Sequence, residues 1–327
     1  MNDISPQEVN ALHDRITAEL NKVIVGQEQI VRLLLVSLFS RGHCLLVGVP
    51  GLAKTLIVRT LSEILQLNFK RIQFTPDLMP ADIIGSEILQ ERERRLEYEY
   101  QAGPIFANLI LADEINRTPP KTQAALLEAM QEHKVTVAGQ SRALPNPFLV
   151  VATQNPIEQE GTYPLPEAQL DRFMFSLNLN YPAKSEEIEI VKRTTFRETA
   201  VVAPTVSAED LLRVQQLVLA APVSDHVIDY AVSLVAATRP GNADSPQMTR
   251  DFVEWGAGPR ASQYLILGAK ALALLKGKIS PETAEVREVA MHVLQHRVIT
   301  NYRATGAGKK PRDIVQSILA EVKEQSY

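Results

Sequence analysis

The stretch Gly48-Val49-Pro50-Gly51-Leu52-Ala53-Lys54-Thr55 follows an apolar run, Cys44-Leu45-Leu46-Val47, and precedes a helix-like segment over residues 56–65. A loop between a buried strand and a helix N-terminus points backbone N–H groups and the positive end of a helix dipole at one spot, which suits an anion. Lys54 then supplies a mobile cation for β- and γ-phosphates, and Thr55 a hydroxyl for Mg2+. The general pattern for such a loop is G-x-x-x-x-G-K-(S/T), and Ala53 stands where that pattern has its second glycine. A residue at the start of a helix occupies backbone space open to alanine, and a small side chain there leaves room for phosphate. The competing reading is an ordinary glycine-containing turn between strand and helix, and the rest of the chain decides between the two.

With 327 residues, 45% of them hydrophobic, the chain is long enough for about two domains, each with a normal core. Lys plus Arg number 34 against 38 for Asp plus Glu, a formal net charge of -4. That balance lacks the concentrated basic face on which sequence-independent nucleic-acid binding rests, and so argues against a nucleic-acid partner. The single cysteine, Cys44, excludes an intramolecular disulfide, and its place in the apolar run makes it a small buried hydrophobe. Residues 1–10 lack the basic start and apolar core of a secretory signal, and no apolar run approaches the roughly 18 residues that span a bilayer. The expectation is a cytoplasmic protein with no membrane insertion.

From the N-terminus, apolar spacing predicts a helix over residues 5–20, with Ser5 as cap and Pro6 in the first turn. An extended segment, Val23-Ile24-Val25-Gly26-Gln27, then bends at glycine before a second helix over 28–40. Backbone groups of Val25 and Gly26 either meet the adenine base or only join two helices. After the helix at 56–65 comes a strand over 70–74, a loop-rich stretch over 75–85, and alternating residues over 86–101 that predict a hairpin. In the hairpin's charged turn Glu91, Glu93, Glu97 and Glu99 neutralise Arg92, Arg94 and Arg95, which favours a solvated hairpin over a nucleic-acid contact.

The run Asn108-Leu109-Ile110-Leu111-Ala112 has strand length and ends in Asp113-Glu114. On a central parallel strand it delivers both acids to the carboxyl edge, where α/β sheets bind ligands. There Asp113 can hold Mg2+ through water, while Glu114 can orient and deprotonate an attacking water. Taken alone, such a pair more often caps the next helix. A helix over 121–133, a short hairpin near Val135-Thr136-Val137 and a strand over 147–152 follow, and Asn155 stands at the strand's end, either near a γ-phosphate or as a turn former before Pro156. Next, Leu170-Asp171-Arg172-Phe173 precedes a fifth strand over 174–179. Arg172 is a candidate arginine finger reaching a nucleotide held by a neighbouring subunit, or else a salt-bridge partner of Asp171 or Glu167.

A linking helix over 185–195 leads to a region that reads as purely helical: Ser207 with Asp210 caps a helix reaching residue 220, and further helices fit 224–238, 259–276, 281–298 and 311–324. The turn Gly256-Ala257-Gly258-Pro259-Arg260 leaves Arg260 in a first helical turn, aimed away from the helices, where the dipole disfavours a cation and an external anion would account for it. Trp255 reads as an anchor between helices. His292 and His296 have helical spacing but no accompanying acid or cysteine pattern, which argues against a metal site.

With these residues assembled, the chain resembles the MoxR family of AAA+ ATPases, of the clade with a helix-2 insert, from about Val25 to the C-terminal helices. The likeness is carried by residues 48–55, by Gln73-Phe74-Thr75-Pro76-Asp77, by Leu111-Ala112-Asp113-Glu114-Ile115-Asn116-Arg117, and by residues 165–173, Leu-Pro-Glu-Ala-Gln-Leu-Asp-Arg-Phe. In that family the residue before the loop lysine is commonly alanine. The resemblance implies an α/β fold: a P-loop AAA+ core with a parallel five-stranded sheet over residues 1–200, and an all-α lid domain over 201–327. It implies Lys54 and Thr55 as Walker A, Asp113 and Glu114 as Walker B, Asn155 as sensor 1, Arg172 as the finger and Arg260 as sensor 2. It further implies ATP and Mg2+ as ligands and homo-oligomeric, hexameric rings. Partners would carry von Willebrand factor A domains, and the ring would act as a chaperone-like remodeller assisting maturation or metal-cofactor insertion of a client. The rival readings are a nucleotide-dependent assembly scaffold with incidental turnover, a magnesium-chelatase-like subunit, and a DNA motor, which the acidic balance disfavours.

Overall fold

The computed structural model describes residues 4–92, 95–158, 160–195 and 200–324. The N-terminal helix α1 (Pro6–Val23) starts at Ser5, whose hydroxyl accepts from the Glu8 N–H while Glu8 accepts from the Ser5 N–H, a reciprocal cap. Then follow α2 (Glu28–Phe39), β1 (Cys44–Val47), α3 (Lys54–Ile64), β2 (Phe69–Gln73), α4 (Pro80–Ile84), the hairpin β3 (Gly85–Arg92) and β4 (Arg95–Ala102), and β5 (Leu109–Asp113). The central part continues with α5 (Pro120–Glu132), the hairpin β6 (Lys134–Val137) and β7 (Gln140–Ala143), β8 (Leu149–Gln154), α6 (Glu167–Leu170), β9 (Phe175–Asn178) and α7 (Lys184–Thr195). The C-terminal part comprises α8 (Ala208–Ala220), α9 (Asp225–Ala236), α10 (Gln247–Phe252), β10 (Val253–Trp255), α11 (Pro259–Leu275), α12 (Thr283–Leu294), β11 (Ile299–Thr300), α13 (Tyr302–Gly306) and α14 (Pro311–Glu321).

Five parallel strands form one sheet in the order β2-β5-β8-β1-β9, so β1 lies between β8 and β9 while β5 lies between β2 and β8. Both faces of this sheet are buried, and strand alternation distributes successive residues between two cores. Leu45, Ile110, Ala112, Val150 and Ala152 pack with Leu126, Leu127 and Met130 of α5 on one side. Cys44, Leu46, Leu109, Leu111 and Val151 pack on the other with Leu34, Ile57 and Leu61, in a cluster that runs on without a break through Val214, Leu265 and Val289 of the C-terminal helices. His43 ties the layers together: its Nδ1 accepts from the Val150 N–H at 3.0 Å, which leaves Nε2 to donate to the Met130 carbonyl at 3.2 Å. Burial pushes this imidazole down to about 4, so it is neutral.

The expected hairpin over 86–101 is present in register, Ser86 opposite Gln101, although the tip of its charged turn, 93–94, lies outside the described residues. Three expectations are corrected. The loop-rich stretch 75–85 contains α4, whose first turn is closed by Asp82 accepting from the Met79 N–H at 2.8 Å. The C-terminal region is not purely helical, because Val253 and Trp255 pair antiparallel with Thr300 and Ile299, a ladder too short to announce itself by alternation. Trp255 is 67% exposed on that ladder and does not sit between helices.

Candidate nucleotide site

The sheet order brings the carboxyl ends of β1, β5 and β8 side by side, and the loop of residues 48–53 leaves β1 there. It leads directly into α3, whose first turn has no side-chain cap, so its leading N–H groups remain free for an anion. Pro50, Gly51, Leu52, Ala53, Lys54 and Thr55 line a cavity of about 410 Å3 together with Asp113, Glu114 and Asn155. The sequence-predicted loop and acids thus share one cavity. The Lys54 ammonium crosses the loop, donating to the Gly48 carbonyl at 2.5 Å and to the Val49 carbonyl at 3.3 Å. Burial lowers its pKa, against the opposing pull of the Asp113 and Glu114 carboxylates.

Ala53 corrects the expectation for its backbone: with φ 56° and ψ 21° it lies in the left-handed region, not in the ordinary conformation of a helix start. That explains why the general pattern has glycine here, since only glycine enters this region without strain.

Asp113 is only 8% exposed at the end of β5. Its Oδ1 accepts from the Thr153 hydroxyl at 2.6 Å, and its Oδ2 from Arg71 Nε at 2.9 Å and Nη2 at 2.6 Å. Glu114 has φ 57°, and the same Thr153 hydroxyl accepts from its N–H at 2.8 Å, fixing this strained turn. The Glu114 carboxylate accepts from Gln73 Nε2 at 2.9 Å and Arg117 Nη1 at 3.0 Å. Asn155 is both a cavity-lining residue and a turn former, since its Oδ1 accepts from the Ile157 N–H at 3.3 Å. Arg71, Gln73, Arg117 and Thr153 were not identified from the sequence. The signal for Gln73 was the alternation of β2, but nothing local told which strand β2 would pair with.

The donor set suits a magnesium nucleotide. A hydroxyl and one carboxylate beside a phosphate-sized anion cradle match the preference of Mg2+ for few protein ligands and several phosphate and water oxygens. Among the described residues no cluster of three His, Cys, Asp or Glu side chains forms a metal cage of its own.

A second, smaller cavity of about 120 Å3 adjoins the loop, lined by Val23, Ile24, Val25, Gly51, Leu52, Ala53, Leu56, Pro182 and Ile190 among others. Its apolar walls and its junction with Gly51–Ala53 fit a planar base next to the phosphate cradle. Val25 lines it; Gly26 lies behind it with φ 68°, where an added Cβ would stand 2.5 Å from the Glu186 carboxylate.

Arg172 and Arg260 line neither cavity. Arg260 of α11 reaches across to Asp171, Nη1 to Oδ2 at 2.8 Å, so the anion that accounts for it in this structure is a carboxylate of the chain itself. Asp171 Oδ1 accepts from Arg297 Nε at 2.8 Å. Arg172 forms neither of the salt bridges weighed from sequence, and among the described residues its side chain makes no hydrogen bond or ion pair.

Comparisons with known proteins agree with this geometry. The profile of the ATPase family associated with various cellular activities (AAA) matches residues 43–175, and that of the AAA lid domain matches 246–318. The chain is 45% identical to Chaperone MoxR1 of Mycobacterium tuberculosis, over 96% of this chain and 82% of that protein. It is 31% identical to Protein MoxR of Methylorubrum extorquens, over 87% and 86% of the two chains. The crystal structure of a candidate ATPase from Cytophaga hutchinsonii superposes with a TM-score of 0.91 at 41% identity, covering 98% of this chain and 97% of that one. By these relatives and by the matching family profile, the chain belongs to the MoxR family of AAA+ ATPases.

Proposed function

We propose that the chain is a Mg2+-dependent ATPase working as a homo-oligomer, a hexameric ring, whose nucleotide cycle remodels partner proteins in a chaperone-like way. The observation that carries this reading is the cavity where Lys54, Thr55, Asp113, Glu114 and Asn155 converge while Arg172, unbonded among the described residues, lies outside it. Residues 1–200 serve as the nucleotide-binding core and 201–327 as its lid. The base lies against Val25, with Gly26 shaping the turn behind it. Backbone N–H groups of the loop and the Lys54 ammonium would hold the β- and γ-phosphates, and Thr55 and Asp113 would hold the ion, the latter by way of water. Mg2+, when bound, neutralises phosphate charge and fixes the phosphates' orientation.

Glu114 takes the proton of the attacking water, held by Gln73 and Arg117 at the cavity edge. Asn155 orients that water or the γ-phosphate. The developing charge is met by Arg172 of an adjoining subunit, and Arg260, which shares Asp171 with the finger turn, acts from the same side. The name of the M. tuberculosis relative, a chaperone, supports remodelling as the output. The family resemblance adds partners that carry von Willebrand factor A domains and clients that receive maturation or a metal cofactor. A lone, buried Cys44 fits residence in the cytoplasm.

The test is phosphate release beside nucleotide binding for Glu114→Gln. Removing a general base lowers turnover by about 10²- to 10⁴-fold, with ATP affinity retained. Unchanged turnover would refute the role of Glu114.

A further inference from the structure

The turn carrying Arg172 is held by the C-terminal helices through every carbonyl from residue 171 to residue 174. Arg297, just past α12, is 6% exposed and has all five guanidinium N–H groups occupied. Its Nη2 donates to the carbonyls of Asp171 at 2.8 Å and Phe173 at 2.7 Å. Its Nη1 donates to those of Met174 at 3.3 Å and Val293 at 2.5 Å, and its Nε to Asp171 Oδ1 at 2.8 Å. The remaining carbonyl, that of Arg172, accepts from the Tyr264 hydroxyl of α11 at 3.2 Å. Arg260, also on α11, takes the other oxygen of Asp171. His296 adds no competing charge: burial holds it well below the usual imidazole range, and its Nε2 lies 3.1 Å from the Phe173 carbonyl. The backbone at 171–174 is thus fastened to the lid by Tyr264 and Arg297, and the Asp171 carboxylate by Arg260 and Arg297, while the Arg172 side chain is left unbonded among the described residues.

Fastening of this kind exceeds what docking a helical layer needs, because apolar contacts already provide it: Gly268 of α11 packs on Met174 and Phe175, where even an added Cβ would stand 3.2 and 3.3 Å from their side chains. The hydrogen bonds converge on a turn whose arginine side chain makes no hydrogen bond or ion pair among the described residues. We infer that Arg297, with Tyr264, is a positioning residue that mounts the arginine finger on the lid of its own subunit, so that lid movement sets the finger's place in the neighbour's site. The inference rests on the reading of Arg172 as acting in trans. Its consequence is directional: the state of one subunit's lid controls turnover next door, not in its own cavity.

The test uses full-length oligomers of Arg297→Lys, which keeps the charge but loses the planar fork, and of Tyr264→Phe, which removes one hydroxyl. Displacing a catalytic group by about an ångström costs about 10²-fold in rate, so the kcat of Arg297→Lys falls by that order with KM for ATP unchanged, and that of Tyr264→Phe falls several-fold. Each variant is then mixed with Glu114→Gln subunits, which are dead at their own site but carry an intact finger. Turnover of the mixture above the sum of the separate preparations is the expected result, because the Arg297→Lys site borrows its neighbour's finger. Arg172→Ala mixed with Glu114→Gln is the reference. If the reference mixture recovers and the Arg297→Lys and Tyr264→Phe mixtures do not, the mounting role is overturned while the shared site stands. If the reference mixture itself fails to recover, the trans reading falls and the inference with it. Should Arg297→Lys fail to assemble, Tyr264→Phe alone decides, and wild-type kcat in that variant overturns the proposal.

Discussion

Ala53 shows how much a single residue of the phosphate loop reveals and conceals. The sequence marks it as the departure from G-x-x-x-x-G-K-(S/T), and resemblance marks it as a family trait, but only the backbone, at φ 56°, shows that the position wants the conformation glycine adopts freely. Alanine carries a cost there that glycine would relieve, in part offset by the greater chain entropy glycine has when unfolded. Ala53→Gly is expected to stabilise the fold by about 0.5 to 1 kcal/mol, read as a raised midpoint in chemical denaturation with unchanged slope. A lowered midpoint would mean that the left-handed conformation is not the one occupied in solution. Lys54, Thr55, Asp113, Glu114 and Asn155 were all legible as residues because each stands at a strand end or helix start, where local pattern fixes its place. Arg297 was not, since its partners in the 171–174 turn lie 123–126 residues away on another element.

Among the elements, β1, β5 and β8 were legible from their apolar runs and β2 and β9 from alternation, while β10 and β11 were too short for any period to register. The order of the strands was not legible, and the neighbours of the acids depend on it. Because β2 pairs with β5 in the register Gln73 opposite Asp113, Arg71 and Gln73 face the two carboxylates from 41 or 42 residues upstream. Arg71, nearly half exposed, therefore competes with any cation for Asp113. An ion pair of such exposure contributes up to about 1 kcal/mol, so Arg71→Gln should lower the Mg2+ concentration at half-maximal turnover by up to about fivefold. A magnesium titration of ATP turnover checks this, and a higher requirement in the variant would show instead that Arg71 orients Asp113 for the ion.

Over the whole molecule, one apolar cluster joins the sheet to the C-terminal helices, and one polar knot, around Asp171, joins those helices to the finger turn. The sequence separates the α/β and helical parts clearly but carries no sign of this knot, because its bonds are mostly to backbone carbonyls and leave no side-chain pattern. The lining of the phosphate cavity includes no arginine, although Arg71 and Arg117 hold its two carboxylates from behind, and the Arg172 side chain is unbonded among the described residues. Under the proposed function, a neighbouring copy would bring its Arg172 to that cavity. The most direct measurement is ATP turnover by Arg172→Ala in the assembled oligomer, beside its affinity for ATP. A site shared between subunits predicts a loss of about 10³- to 10⁵-fold in turnover with near-normal binding. Wild-type turnover by the assembled Arg172→Ala protein would contradict it.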